Sequence, residues 1–228
     1  MQGTVINIEL MRAKEIFKTD RSLFWKVLEQ CSWPWEALPE IGKTIAQLTT
    51  KLNADDYHVL ENNVWIHKTA TVAPTAFIGK TVIIGAGTEI RHGAFIRENA
   101  LVGEGAVVGN STELKNSGLF DEVQVPHYNY IGDSILGYKS HMGAGAITSN
   151  VKSDKTLVSV TLQNERVETG LRKFGAILGD HVEIGCNSVL NPGSVVGYGA
   201  SVYPLSFVRG FVPANSIYKI QGEVVIKE

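Results

Sequence analysis

The sequence is poor in cysteine and has no framework for disulfide bonds. Its 228 residues include two cysteines, Cys31 and Cys186, which stand far apart in the chain. A chain of this length can bury a core without cross-links, so the cysteine count argues against a disulfide-stabilised scaffold. It is typical of a protein of the reducing cytoplasm, and we expect that location.

The sequence also lacks an excess of charge and a long apolar run. Its formal net charge is -2 and its isoelectric point is near 6.3, without a cluster of lysine and arginine. A polyanionic partner such as nucleic acid therefore has little electrostatic support. The first 17 residues mix four charged side chains with apolar ones. We expect neither a signal peptide nor a membrane span.

What the sequence does have is an apolar side chain at every sixth position. A small residue usually stands two positions before it. The series is Ile66, Val72, Ile78, Ile84, Ile90, Ile96, Val102, Val108, Leu114 and Phe120. The spacing returns at Leu136 and Met142, and again from Leu178 to Val208. Such a hexapeptide repeat predicts an all-β fold in which short strands coil into a parallel β-helix.

The first sixty residues have helical spacing instead. Ile41, Ile45, Leu48 and Leu52 mark one face of a helix. We therefore predict a helical N-terminal cap over residues 1–60, followed by a β-helix domain over 61–228 with its own C-terminal cap. Three tryptophans are concentrated in the first segment, and we expect them to seal the open end of the coil: Trp25, Trp33 and Trp35.

A second departure from the repeat lies at about residues 155–174, where polar residues fill the sixfold positions. Val158, Val160 and Leu162 alternate with polar residues, which predicts a hairpin-like arm. Two interpretations stay open for it. It is a plain surface loop, or its basic residues reach an anionic ligand. Those residues are Lys155, Arg166, Arg172 and Lys173.

The repeat is also broken between Phe120 and Leu136, whose separation is not a multiple of six. The interrupted segment, 125–133, carries His127. An irregular turn can direct a neutral imidazole into a crevice, where it can accept a proton. His127 is therefore our candidate general base.

Three segments around this break resemble a known family. They are Val-Gly-Asn-Ser-Thr-Glu-Leu-Lys from Val108, Pro-His-Tyr-Asn-Tyr-Ile-Gly-Asp from Pro126 and Gly-Ala-Gly-Ala-Ile-Thr-Ser-Asn from Gly143. Their order and spacing resemble the acetyltransferase domain of bifunctional glucosamine-1-phosphate acetyltransferase/N-acetylglucosamine-1-phosphate uridyltransferase, especially its archaeal and stand-alone forms. The likeness covers about residues 60–212. It implies a left-handed β-helix, a homotrimer with active sites between subunits, and acetyl coenzyme A bound along the coils.

The resemblance also implies roles for individual residues. His127 is the base, and the backbone amide of Ala144 stabilises the oxyanion. Ala144 and Cys186 are assigned to coenzyme binding, although Cys186 also fits a small core residue. Side chains that suit a phosphate or a sugar are assigned to the substrate. These are Arg97, Lys115, Tyr130, His141, Asn150 and Lys173.

The sequence departs from the family pattern at two of these positions. His141 stands where the bacterial enzymes have asparagine, and Val151 where they have tyrosine. A histidine adds a titratable group and a different reach, so the acceptor sugar is not fixed by the resemblance. No Gly-rich nucleotide loop opens the chain, so we expect no uridyltransferase domain in it. The implied function is acetyl coenzyme A dependent N-acetylation of an amino sugar 1-phosphate in UDP-N-acetylhexosamine biosynthesis.

Two other functions stay open. A zinc-dependent carbonic anhydrase would need three converging histidines, but the spacing of His67, His92, His127, His141 and His181 does not match closely paired ligands. We expect no metal. A non-catalytic scaffold or sugar-nucleotide-sensing module, related to UDP-N-acetylglucosamine pyrophosphorylases, is the stronger alternative.

Overall fold

The computed structural model describes residues 7–20, 22–163, 165–219 and 224–226. Its helices all lie before residue 57. Three are α-helices: α1 (Ala13–Ile16), α2 (Trp25–Leu28) and α3 (Ile41–Thr49). Three are 3-10 helices: Ile8–Met11, Pro34–Glu40 and Ala54–Asp56.

Short strands, separated by turns and loops, follow the helices. They are β1 (Tyr57–Leu60), β2 (Val64–His67), β3 (Thr71–Val72), β4 (Phe77–Ile84), β5 (Glu89–Ile90), β6 (Phe95–Val102), β7 (Val107–Asn110), β8 (Glu113–Leu119), β9 (Gln124–His127), β10 (Tyr130–Leu136), β11 (His141–Met142), β12 (Ile147–Thr148), β13 (Ser159–Leu162), β14 (Glu165–Glu168), β15 (Ala176–Leu178), β16 (Glu183–Ile184), β17 (Val189–Leu190), β18 (Ser194–Val196), β19 (Ser201–Val202), β20 (Phe207–Val208), β21 (Phe211–Val212), β22 (Ser216–Tyr218) and β23 (Val224–Ile226).

These strands stack as the turns of one coil. Val64 pairs with Val82, and Val82 pairs with Ala100, all in parallel, so one turn takes 18 residues. That length is three hexapeptides, and each turn therefore has three faces. The predicted all-β parallel β-helix is confirmed as the fold class, and its left-handed sense stays what the resemblance implies. The sixfold positions from Ile84 to Leu114 point inward and are at most 1% exposed.

The three faces are named by the residues that point outward from them. The covered face presents Ile83, Leu101, Gly118, Ile135, Ile177 and Val195. The polar face presents Thr71, Glu89, Val107, Gln124, His141, Glu183 and Ser201. The open face presents Phe77, Phe95, Glu113, Tyr130, Ile147, Val189 and Phe207.

The coil loses one residue twice, once before the interruption that the sequence suggested and once within it. Val102 pairs with Leu119, 17 residues on, because the corner between Leu114 and Ser117 is one residue shorter than the corner before it. A second short corner precedes Ser134. The predicted break between Phe120 and Leu136 is therefore confirmed at its end, between Ile131 and Ser134, whereas β9, which carries His127, is a regular strand. The sixfold register passes through Leu119, and Phe120 lies just outside it.

The N-terminal helices do not seal the end of the coil, so that prediction is wrong. They lie along the covered face, where α3 packs against β4, β6 and β8. A Cβ atom added to Gly118 would lie 3.3 Å from the ring of Phe24. The ring of Phe120 stacks on Phe17 with centroids 5.1 Å apart. The outward row of this face is apolar because the helices bury it.

The arm begins after Thr148 and rejoins the coil at Ala176. Strands β13 and β14 form an antiparallel hairpin in it. Val158 and Val160 are fully buried, and Gly210 lies against the backbone of Thr161. The arm therefore packs on the last turns of its own coil, and the polar and open faces are left without a covering segment in the described chain.

Candidate functional site

The predicted site residues occupy two neighbouring corners of the coil. The amide corner joins the polar face to the open face and carries His127, Ala144 and Cys186 on successive turns. The paired corner joins the open face to the covered face and carries Arg97, Lys115, Asp133 and Asn150. The outward row of the open face lies between the two corners.

At the amide corner the backbone forms a ladder. The Gly145 amide donates to the His127 carbonyl at 3.0 Å, and the Asn187 amide donates to the Ala144 carbonyl at 2.8 Å. Adjacent turns of such a ladder are about 4.8 Å apart. The structure therefore brings the candidate base and the candidate oxyanion donor onto neighbouring turns. His127 and Cys186 are both exposed, so Cys186 is not a core residue as one interpretation had it.

The Ala144 amide differs from the amides around it. The N–H groups of Gly143, Gly145 and Ala146 donate to Ile184, His127 and Gly143 at 2.7 to 3.1 Å. The Ala144 N–H donates to no acceptor in the described part of the chain, and the residue is half-buried. A backbone N–H that is held in place and unoccupied can bind an oxygen that gains negative charge.

Local geometry explains how the chain presents His127. Tyr128, next to it, has φ 53°, in the left-handed region, which turns the backbone sharply after β9. On the turn before, a Cβ atom on Gly109 would lie 1.6 Å from the Pro126 carbonyl oxygen. Only glycine permits that close approach.

At the paired corner Lys115 is held by a carboxylate. Its ammonium lies 3.3 Å from Asp133, and the two side chains are 14% and 7% exposed. Asn116 donates to Asp133 at 3.0 Å and to the Leu38 carbonyl at 3.1 Å, and Asn150 also donates to Asp133. The charge of Lys115 is therefore balanced within the protein before any phosphate binds.

Arg97 is paired too, but less tightly. It donates to Glu113 at 3.0 Å, and its side chain is 43% exposed. That hydrogen bond raises the pKa of the Arg97 guanidinium. Burial raises the pKa of the Tyr130 phenol, and the charges of Asp133 and Glu113 raise it further. Tyr130 is therefore a neutral hydrogen-bonding group between two carboxylates, and the Arg97 guanidinium stays partly open to solvent.

Lys173 lies beside the same corner. Phe174, which follows it, is buried and donates its amide to the Asn150 carbonyl at 3.0 Å. Phe174 also packs on Trp35 with ring centroids 5.9 Å apart. Lys173 is exposed and has no carboxylate partner among the described residues. It is thus a cation beside this corner for which the described residues provide no counter-charge.

His141 lies apart from both corners. It stands on the polar face, with Nδ1 2.8 Å from Glu183, and lines a surface cavity of about 310 Å³ with Glu122 and Lys139. Val151 is 41% exposed at the start of the arm. Within one chain, therefore, the structure does not bring His141 together with the other predicted substrate residues.

Sequence reasoning missed the partners of the predicted residues. Glu113 and Asp133 lie within the resembling segments, but no charge pattern marks them as counter-ions, since each pairs with a residue about one turn away. Asn129 was also missed, although a signal for it exists: it is a large polar residue at a position where the repeat places small ones.

Two absences can be stated for the described part of the chain. It has no group of three or more His, Cys, Asp or Glu side chains that could hold a metal ion. Of the helices described, none has the length and apolar character needed to cross a membrane.

Comparisons with known proteins find relatives over the repeat region of the chain. A family model described as the GMPPB C-terminal domain matches residues 87–218, more than half of the chain. A bifunctional sugar-1-phosphate nucleotidylyltransferase/acetyltransferase from Sulfurisphaera tokodaii is 34% identical over 48% of this chain and 27% of its own length. The bifunctional protein GlmU of Methanococcus aeolicus is 34% identical over 51% of this chain and 28% of its own length.

These matches confirm the resemblance drawn from the sequence. The chain spans about a quarter of the length of these curated relatives. Among solved structures, the acetyltransferase domain of PglB from Neisseria gonorrhoeae shares 16% identity, with 78% of this chain and 63% of that chain covered and a TM-score of 0.34.

Proposed function

The chain belongs to the GMPPB C-terminal domain family, and from this membership and the two corners we propose that it transfers the acetyl group of acetyl coenzyme A to the amine of an amino sugar 1-phosphate. The observation that carries the proposal is the amide corner, where an exposed imidazole and an unoccupied backbone N–H stand on adjacent turns. The names of the relatives, which join acetyltransferase to sugar-1-phosphate chemistry, support the same substrate class.

The amide corner supplies two groups that acyl transfer needs. An attacking amine must lose a proton as the new amide forms, and the His127 imidazole accepts it. The Ala144 N–H donates to the carbonyl oxygen that becomes negative during attack. The protonated His127 then returns the proton to the departing sulfur, which leaves as the free thiol.

The paired corner supplies the substrate contacts in this proposal. The charges of Lys115 and Arg97 are already balanced by carboxylates of the chain. These two side chains therefore position the sugar phosphate more than they attract it. Lys173 provides the net attraction. Tyr130 and Asn150 lie within the same hydrogen-bonded group and offer polar contacts to the sugar.

We further propose that the active unit is a homotrimer. The open face carries a row of exposed aromatic side chains, with Phe77 58%, Phe95 41% and Phe207 63% exposed. An exposed apolar row of this kind is typical of a surface that contacts another protein. A second copy on this face would bring further residues to the amide corner and would form the sides of a coenzyme groove.

The test is thiol release from acetyl coenzyme A with a panel of hexosamine 1-phosphates. We expect turnover with at least one of them, and His127→Ala to lower kcat about 1,000-fold, the range of general base catalysis. His92→Ala is the matched control, since His92 is exposed in the same row two turns earlier. Equal losses in both variants would contradict the assignment of the base.

A sensing or scaffold module is the second candidate, and one observation favours it. Arg97 and Lys115, which are expected to hold phosphate, are paired with carboxylates of the chain itself, so their charges already have a structural role without a bound substrate. It predicts no thiol release with any amine, together with saturable binding of a nucleotide sugar in calorimetry. Turnover by the unmodified protein would rule it out.

A further inference from the structure

We propose that Asn129 is a positioning residue that fixes both His127 and the Ala144 amide for acyl transfer. This inference rests on the proposed function and names a residue that the motif comparison does not assign. Its side chain forms no hydrogen bond with the His127 imidazole or with the Ala144 N–H. It acts through the backbone of the two turns that form the amide corner.

Asn129 is larger than the residues at the equivalent positions of the coil. The residues at equivalent positions on other turns of the same row are all small. They are Ala76, Ala94, Thr112, Ala146, Ser188 and Ser206. Asn129 is 2% exposed, so its amide is buried in the corner rather than directed to solvent. A buried amide is stable only when its donors and acceptor are satisfied.

Its hydrogen bonds link the two candidate groups. The Asn129 Oδ1 accepts from the His127 backbone N–H at 3.1 Å. The Nδ2 donates to the Gly143 carbonyl at 2.8 Å and to the Ala146 carbonyl at 3.0 Å. One side chain is thus bonded to the residue that carries the imidazole and to both ends of the Gly143–Ala146 turn.

The contact with Gly143 sets the direction of the Ala144 N–H. The Gly143 carbonyl and the Ala144 N–H belong to one planar trans peptide group, so they point in opposite directions. Because Asn129 and the Ala146 amide hold the carbonyl toward the interior, the N–H is directed away from it. Preorganised donors of this kind need no rearrangement during the reaction.

Thr88 provides a matched control. It is fully buried, its Oγ1 donates to the Gly103 carbonyl on the next turn at 2.7 Å, and it accepts from the Ala106 amide at 3.1 Å. It therefore holds a neighbouring turn as Asn129 does, at a corner where no site residue is predicted. Removing either side chain costs buried hydrogen bonds, but only one of them holds the amide corner.

The experiment compares Asn129→Ala, Asn129→Asp and Thr88→Ala in the full chain, below the unfolding temperature of each. Asn129→Asp keeps the acceptor for His127 and loses the donor to Gly143. We expect both Asn129 variants to lower kcat about 100-fold without a change in KM for the sugar phosphate, and Thr88→Ala to change kcat about twofold or less.

A second measurement does not depend on turnover. Hydrogen exchange of the peptide that spans residues 143–147 should quicken at least about tenfold in the Asn129 variants and stay unchanged in Thr88→Ala. Unchanged exchange, or equal kcat losses at the two positions, overturns the positioning role. If the unmodified protein releases no thiol with any amine, the proposed function fails, and the exchange data still decide whether Asn129 orders this turn.

Discussion

The covered and open faces carry similar outward residues and bury them differently. On the covered face, Ile83, Leu101 and Ile135 are fully buried beneath the N-terminal helices. On the open face, Phe77 and Phe207 are 58% and 63% exposed. One chain therefore provides its own cover for one apolar row and leaves the other accessible.

This difference shows how an added segment changes a solenoid. A coil of hexapeptides fills its interior with inward residues alone, so its outward rows can be polar. An apolar outward row needs something to lie on it. The helices meet that need on one face, and the second copy that we propose would meet it on the other.

The largest effect is expected from a charge on the covered face. Ile135→Asp places an unpaired carboxylate beneath the helices and should lower the free energy of unfolding by about 4 kcal/mol, measured in urea. Phe77→Asp is the control on the open face and should cost below about 1 kcal/mol in the dissociated chain. Equal costs would show that the two faces do not differ.

Next is the corner that borders the covered face. Lys115→Met leaves Asp133 buried without its cation and should cost about 3 kcal/mol of unfolding free energy. Arg97→Met removes a pair whose side chains are 43% and 30% exposed, so its cost should stay below about 1 kcal/mol. A Lys115 variant as stable as the Arg97 variant would contradict the buried pair.

A smaller effect is expected from the open face itself. If the chain forms a trimer through this row, Phe207→Glu removes one aromatic contact per copy and weakens association by about 2 kcal/mol. Sedimentation over a range of concentrations should show dissociation of the variant where the unmodified chain stays assembled. The comparison variant is Tyr203→Glu. Tyr203 is 43% exposed and lies outside the outward row of the open face. An unmodified chain that stays monomeric would refute the trimer.

The smallest effect is expected in a comparison of how fast the two cysteines are alkylated. Burial raises the pKa of the Cys31 thiol to about 11, with help from Glu36 and Glu40. Below that pH the group stays protonated, so at pH 8 iodoacetamide should modify it at least about tenfold more slowly than the exposed Cys186. Mass spectrometry of the two peptides measures both rates. Similar rates would mean that the helical segment opens readily.

The sequence predicted the coil because its signal is local. Each inward residue lies six positions from the next, so the spacing alone identifies the interior rows. Where the N-terminal helices pack on the coil could not be predicted in this way. Their apolar face fits the end of a coil as well as its side, and the choice depends on outward residues such as Leu101 and Ile135 that stand outside the sixfold series.

The candidate site was predictable in part for the same reason. Motif spacing identified His127, Ala144 and Lys115, and the structure places the first two on adjacent turns. It could not identify Asp133 as the partner of Lys115, because that contact joins residues 18 apart through the stacking of turns. Nor could it separate His141 from the rest, since neighbours in sequence lie on different faces.

The arm has a practical consequence. The strand before it, β12, pairs directly with β17, and β10 pairs directly with β15, so the turns close up as if residues 149–175 were not there. A foreign loop grafted between Val151 and Arg172, which keeps Asn150, Lys173 and Phe174 in place, would therefore leave the pairing of these strands intact. That makes this corner a natural place to engineer a recognition loop or an affinity tag beside the reactive surface.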